Sequence, residues 1–327
     1  MKNKNIQALR GICALMVFFS HSLHVYDSSV VTFLHNSVLH IFFDGEIAVC
    51  VFFVLSGYFY FKEDSFSFIK YKNAFLKKAK KIYPPHWVFL TIGFVISTLY
   101  QRYNLFNDIG SSEWFSCFWK KPVSFGELLR GYSVILKPDP HLINPPVWYL
   151  EAEVTMFFIM PLAVYYFNKF GWIFSFPLIL LSTFYKIPLI PWFGAYLLGA
   201  IAKKYVKMIL KVLDYNKFTI PFFVLIGLLL LNVENELFVH NSVTTMISCL
   251  GACILIVILF DKRVRLFECI VFQFMGDISY EFYLCHFIVL LALKPFVSNV
   301  LLYIIICIMT SIFLAFYVKR LLQRVIT

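Results

Sequence analysis

Arg10 and His21 stand eleven positions apart in a mostly apolar run near the start of the chain. On an α-helix eleven residues turn only about 20° past three full turns, so both side chains fall on one face, about 16 Å apart. An imidazole can take or return a proton near neutral pH, and a guanidinium binds anions. Each residue alone has a plainer reading: Arg10 as a basic anchor at a membrane boundary, His21 as a core histidine with its hydrogen bonds satisfied. Their shared face raises the case for chemistry.

Other polar residues lie in apolar surroundings. Glu151 and Glu153 follow Val147-Trp148-Tyr149-Leu150. Two residues apart on a helix they point about 200° from each other, so they are not a paired acid/base unit; Glu153, the deeper, is the site candidate. Ser56-Gly57 closes Val51-Phe52-Phe53-Val54-Leu55, where small residues let helices approach. Lys77, Lys78, Lys80 and Lys81 precede Ile82-Tyr83-Pro84-Pro85 and suit anionic lipid or the phosphates of a nucleotide-bearing donor. Glu281 and His286 sit inside a late apolar run. Ionisable groups in such runs are costly, face the protein interior or a water-filled cavity, and mark function by default.

The elements that must position these groups are read from composition. The 327 residues are 61% hydrophobic, 20% aromatic and 14% charged. A soluble domain is about 45–50% apolar and 25% charged, so neither a soluble globular protein nor a disordered one fits. Ten apolar segments are expected to be membrane-spanning helices: 6–26, 38–61, 80–100, 147–167, 171–185, 188–205, 218–233, 240–260, 270–293 and 298–318. They are too long and too uniformly apolar for barrel strands. The fifth and seventh are short, and the fifth reads as a tilted or re-entrant piece. The first segment is long enough to span, carries Arg10 and His21, and precedes no A-x-A-like cleavage site, which favours a span over a signal peptide.

Net charge is +11, from 29 Lys and Arg against 18 Asp and Glu. That balance could suit nucleic acid, but its placement suits a bilayer. With a cytoplasmic N-terminus and ten spans, only Arg102, Lys120, Lys121, Arg130, Lys137, Lys186 and Lys294 fall outside, leaving 22 of the 29 basic residues inside. This bias predicts both termini to be cytoplasmic. Seven of the eight cysteines lie in or beside predicted spans and only Cys117 lies in the long outer connection. No cysteine or histidine spacing suits zinc, and no metal is expected. That connection, about 101–146, holds Trp114, Phe115, Phe118 and Trp119, which read either as an interfacial belt or as a sugar-stacking surface, then Pro138, Pro140, Pro145 and Pro146. One all-α membrane domain over 1–327 is expected, with no appended soluble domain.

Taken together, these residues resemble membrane-bound acyltransferase family 3, whose bacterial members O-acetylate surface polysaccharides. Arg10 to His21, within Gln7-Ala8-Leu9-Arg10-Gly11, resembles the family's basic residue, ten intervening residues and histidine. Phe52-Phe53-Val54-Leu55-Ser56-Gly57-Tyr58 is similar to its F-F-V-L-S-G-F, and Lys78 and Lys81 before Ile82-Tyr83-Pro84 to its paired arginines before I-Y-P. Trp148-Tyr149-Leu150 with Glu153 resembles its W-S-L-x-x-E, and Tyr283-Leu284-Cys285-His286 its late Y-L-x-H. The stretches stand in family order along nearly the whole chain. Lys for Arg at the paired positions keeps charge but loses bidentate phosphate geometry, and Cys50 stands where many members have Asp.

The resemblance implies transfer of an acyl group, acetyl first, from cytoplasmic acetyl-CoA or another acyl-CoA to a hydroxyl of a surface-polysaccharide sugar such as O-antigen. The acceptor is free or lipid-linked, and the site is the bacterial inner membrane. The acyl-CoA is a co-substrate; no permanently bound cofactor and no nucleic acid is implied. His21 and Glu153 would be catalytic, His21 as base and Glu153 orienting it or gripping the acceptor. Arg10, Lys78 and Lys81 would bind the donor, while Ser56, Trp148, Tyr149, Glu281 and His286 would bind the acceptor or support the site. Direct transfer needs no enzyme nucleophile, though a covalent acyl-histidine is a variant. The rival classes are a transporter or flippase using the buried charges as a proton relay, for which no inverted repeat is visible, and a polysaccharide polymerase, which would place more arginines outside.

Overall fold

The computed structural model describes residues 3–26, 33–34, 37–60, 68–105, 111–134, 143–184, 190–213, 218–233, 242–260 and 269–326. Lys2, Lys62, Lys137, Lys186, Lys217, Lys262, Arg263 and Arg265 of the charge reading, with Pro138 and Pro140, lie outside them. The described residues form helices and no strands: α1 Lys4–His24, α2 Gly45–Tyr60, α3 Phe68–Tyr103, α4 Glu113–Ser116, α5 Phe125–Ser133, α6 Val147–Phe170, α7 Trp172–Phe184, α8 Ile190–Leu213, α9 Thr219–Leu231, α10 Ser242–Leu259, α11 Ile270–Leu293 and α12 Val300–Ile326. Each of the ten segments expected to span is represented by a helix. Among the described residues, six helical stretches are long and apolar enough to cross a membrane: Lys4–His24, Tyr71–Tyr103, Val147–Phe170, Ser242–Leu259, Ile270–Phe296 and Val300–Arg324. Helices α7 and α9 have 13 residues each, about 20 Å against a hydrocarbon core of about 30 Å. Gly171, at φ +59°, ends α6 in the left-handed conformation that glycine adopts without a Cβ penalty.

The helices divide into two compact units. One contains residues 1–13, 46–72 and 152–273; the other contains 14–45, 73–151 and 274–327. In the first, glycines set the helix crossings. A Cβ at Gly251 of α10 would stand 2.6 Å from the Gly227 carbonyl of α9. A Cβ at Gly57 of α2 would collide with the Tyr196 carbonyl of α8, and one at Gly199 of α8 with the Val54 carbonyl of α2. Small residues at these four positions let backbones meet where lipid supplies no hydrophobic drive.

In the second unit the described part of the 101–146 connection packs along α3 rather than forming a free loop. Trp119 packs edge-on to Tyr100 at 5.3 Å. Farther along the connection, Leu128 and Ile143 are buried against Leu90 of α3. At the end of α5 the carbonyls of Gly131, Tyr132 and Ser133 accept bonds from His86 Nε2 (3.0 Å), Trp87 Nε1 (3.0 Å) and the Tyr83 hydroxyl (3.0 Å). From Tyr100 to Tyr83 is about 25 Å along a helix, so the connection descends along α3. Arg130 stands one residue before this contact. The same bonds satisfy carbonyls at the C-terminal end of α5, which a helix leaves without partners. Helix α3 itself begins twelve residues before the expected start at 80 and runs through Pro84 and Pro85, carrying Lys77 to Lys81 on its surface.

Helix α5 starts with a capping box: the Ser124 hydroxyl accepts from the Glu127 N–H at 3.2 Å, and Glu127 accepts from the Ser124 N–H at 2.6 Å. The backbone N–H and then the hydroxyl of Ser124 hold the Glu127 carboxyl below its ordinary value of 4.5. A depressed folded-state value means the carboxylate half of the cap contributes fully above about 4.5 and is lost as pH falls through the lower folded value. Ser124→Ala should cost α5 about 1 kcal/mol. Faster hydrogen exchange at the amides of 125–128 is the expected sign; unchanged exchange would remove the cap's role.

Candidate active site

His21, in the last turn of α1, meets His286 of α11. Their Nδ1 and Nε2 atoms are 2.9 Å apart and the rings are inclined by 7°. The tautomers follow from the next contact. His286 Nδ1 lies 2.7 Å from the Tyr283 carbonyl oxygen, which can only accept, so Nδ1 carries the proton. In a neutral imidazole Nε2 is then the acceptor. It therefore accepts from Nδ1–H of His21, and His21 Nε2 is left with a lone pair. Tyr283 carbonyl, His286 and His21 thus form a directed chain ending in a base, the logic by which a third group fixes the tautomer of a catalytic histidine.

Aromatic rings surround the pair. Phe287 meets His21 edge-on at 5.1 Å, and Trp114 lies over it at 6.0 Å with a 20° tilt. Phe118 and Phe115 pack on Phe287 at 5.3 and 5.9 Å. Two of the connection's aromatics turn inward: Phe115 and Trp119 are each 3% exposed, which overturns the belt reading for these two, whereas Trp114 is 43% exposed. Ser112 fastens the segment to the end of α1, its N–H donating to Val25 O at 2.8 Å and its hydroxyl to His24 O at 2.6 Å. Below the pair, Asn144 donates to Leu284 O at 2.8 Å and the Tyr283 hydroxyl donates to Pro146 O at 2.9 Å. These bonds tie the start of α6 to α11, and Tyr149 packs against Tyr283 at 5.5 Å. Trp148 is partly exposed beside Tyr149.

The first unit holds a second polar cluster. Glu153 is buried on α6. Its carboxylate accepts from the Ser56 hydroxyl of α2 at 3.3 Å and from the Tyr196 hydroxyl of α8. Gly57 permits the close passage of α8 that brings Tyr196 within reach. Sequence reasoning missed Tyr196. The available signal was Gly199, three residues on, in a run otherwise rich in Ala and Leu.

The charged groups separate from the histidines. Glu281 lies in the field of Lys319, Lys81 and Asp277 with its Oε2 buried and without a hydrogen-bond partner, and Asp277 pairs with Lys319 at 2.8 Å. Glu281 and His286 are five residues apart on α11, about 140° around the axis, which explains the division. Lys78 is half-buried, Lys81 exposed and Arg10 half-buried. Of the residues selected from sequence, the structure joins His21 to His286 and Ser56 to Glu153. Arg10, Ser56 and Glu153 belong to the first unit; His21, Lys78, Lys81, Trp148, Tyr149, Glu281 and His286 belong to the second.

Apolar helices of spanning length, with ionisable clusters buried among them, define a multi-pass membrane protein. The chain belongs to acyltransferase family 3: the family's sequence profile, described as an acyltransferase domain, matches residues 3–320. No curated protein and no solved structure matches the chain significantly.

Proposed function

We propose that the protein moves an acyl group, acetyl first, from cytoplasmic acyl-CoA to a hydroxyl of a surface-polysaccharide sugar such as O-antigen, within the bacterial inner membrane. All ten apolar helices would cross the bilayer, with both termini cytoplasmic. The hydrogen-bond chain from the Tyr283 carbonyl through His286 to His21 is the single observation that carries this reading. It supports a base in the neutral state without any carboxylate.

In this mechanism His21 Nε2 takes the proton from the acceptor hydroxyl as that oxygen attacks the thioester carbonyl carbon. The C–O bond forms, the C–S bond breaks, and the CoA sulfur leaves with the electron pair, receiving the proton back from His21. While His21 is an imidazolium its Nδ1–H still donates to His286, so the transient charge is stabilised without a rotamer change. His286 fills the orienting role, which leaves Glu153 with Ser56 and Tyr196 to hold substrate. Arg10, Lys78 and Lys81 bind the CoA phosphates as cations, Glu281 tempers the charge of Lys81, and Trp148 and Tyr149 face the acceptor.

The test supplies labelled acetyl-CoA to membranes containing the protein and the host's surface glycan, comparing wild type with His21→Ala. Label should reach the glycan with wild type alone while both chains insert equally. Transfer by His21→Ala at the wild-type rate would remove His21 from the mechanism.

A further inference from the structure

Trp114 is a large ring beside the base that stays open to its surroundings. His21 and Trp114 both meet the buried Phe287 ring at near right angles, with centres 5.1 and 5.6 Å from it. They are therefore nearly parallel to each other, tilted by 20° with centres 6.0 Å apart. His24 and Phe118 meet Trp114 edge-on at 6.0 and 5.3 Å. Rings on several sides thus fix the indole, yet 43% of the residue is exposed. His21 is itself partly exposed, whereas His286 and Phe287 are buried. Base and indole are open together.

The backbone beneath Trp114 is held as firmly as its ring. Ser112, itself buried, donates to the Val25 and His24 carbonyls at 2.8 and 2.6 Å. It accepts from the N–H groups of Phe115 and Ser116 at 3.2 and 2.9 Å. These bonds tie α4 to the end of the helix that carries His21, so the spacing of indole and base is set before a substrate arrives. An exposed tryptophan in a membrane protein has a plain reading as an interfacial anchor. Anchoring needs neither a fixed ring orientation nor a neighbouring base, and Trp114 has both. A flat indole offers an apolar platform to the C–H face of a pyranose and leaves the sugar's hydroxyls at the rim. A general base must come within about 2.6–3.2 Å of the oxygen whose proton it takes. With ring centres 6.0 Å apart, one sugar on Trp114 can present a hydroxyl to His21.

We infer that Trp114 is a specificity-determining residue: the sugar that receives the acyl group stacks on its exposed indole, which aligns the reacting hydroxyl with His21. That this sugar is the acyl acceptor rests on the acyltransferase reading; that a sugar stacks on Trp114 does not. The experiment has a binding arm and a transfer arm. For binding, the full chain carries 5-fluorotryptophan at its six tryptophans and is followed by fluorine NMR, with Trp114→Phe identifying the Trp114 resonance. The probes are oligosaccharide released from the host's surface glycan and sorbitol, a polyol without a pyranose face. The oligosaccharide should move the Trp114 resonance and sorbitol should not. An unmoved resonance, or equal movement by both probes, would overturn the inference. For transfer, labelled acetyl-CoA is supplied with graded amounts of the glycan. Trp114→Leu should raise the apparent KM for the glycan about tenfold and leave that for acetyl-CoA unchanged, and Trp114→Tyr should restore most of the loss. An unchanged glycan KM in Trp114→Leu would overturn the inference, and so would equal rises for glycan and acetyl-CoA. A wild type that shifts the Trp114 resonance but transfers no acetyl would keep the stacking and remove the transfer reading alone.

Discussion

Removing both histidines together should cost no more than removing His21 alone. His21→Ala is expected to lower acyl transfer by about 10²–10⁴-fold, the usual contribution of a positioned general base. His286→Ala should lose a large share of that factor, because His21 would no longer be held in the tautomer that leaves Nε2 bare. Groups that act as one device are non-additive, so the His21→Ala, His286→Ala double variant should match the His21 single variant. His286→Gln, which can still accept one hydrogen bond, should lie between wild type and His286→Ala. Single-turnover transfer rates in membranes settle the matter. Losses that multiply in the double variant would mean that the 2.9 Å contact is not used in catalysis.

The second large effect is structural. Gly57→Leu should prevent α2 and α8 from crossing, because even a Cβ at Gly57 runs into the Tyr196 backbone rather than a movable side chain. Overpacking in a core costs about 1–3 kcal/mol when neighbours can yield, and here a helix axis must shift. Thermal unfolding in detergent should show a lowered midpoint for Gly57→Leu and, by the reciprocal contact with Val54, for Gly199→Leu. Tyr196→Phe should leave the crossing intact while depriving Glu153 of one donor, a cost of about 1–3 kcal/mol for the buried acceptor. If Gly57→Leu melts like wild type, close approach is not why glycine stands there.

The two variants also mark what could be read before the fold was known. Helices were legible because long apolar runs admit little else in a bilayer, and Ser56-Gly57 was legible as a packing pair because small residues at a helix interface have one main use. Arg10 and His21 drew notice through spacing within one helix. The His21–His286 bond was not legible: it joins helices 265 positions apart, and no periodicity within either helix encodes the register between them. Tyr196 escaped for a related reason: Gly199 beside it signals a close helix approach, but nothing local says that a carboxylate waits on another helix. The run of α5 along α3 was hidden because the connection was placed only by counting spans, which says nothing of what it packs against. Its apolar side, with Leu128, is too short to register as a span.

The distance along the chain between His21 and His286 has a consequence in time. A ribosome adds about 5–20 residues per second, so the first histidine exists for on the order of 10–50 s before its partner is made, given their separation of 265 positions. Asn144 waits similarly for Leu284, 140 positions later. Throughout that interval the segment that will cover His21 has nothing on α11 to bind. The nascent protein thus carries His21 without its hydrogen-bond partner until α11 has been made, and on the proposed mechanism transfer cannot begin before that helix is in place.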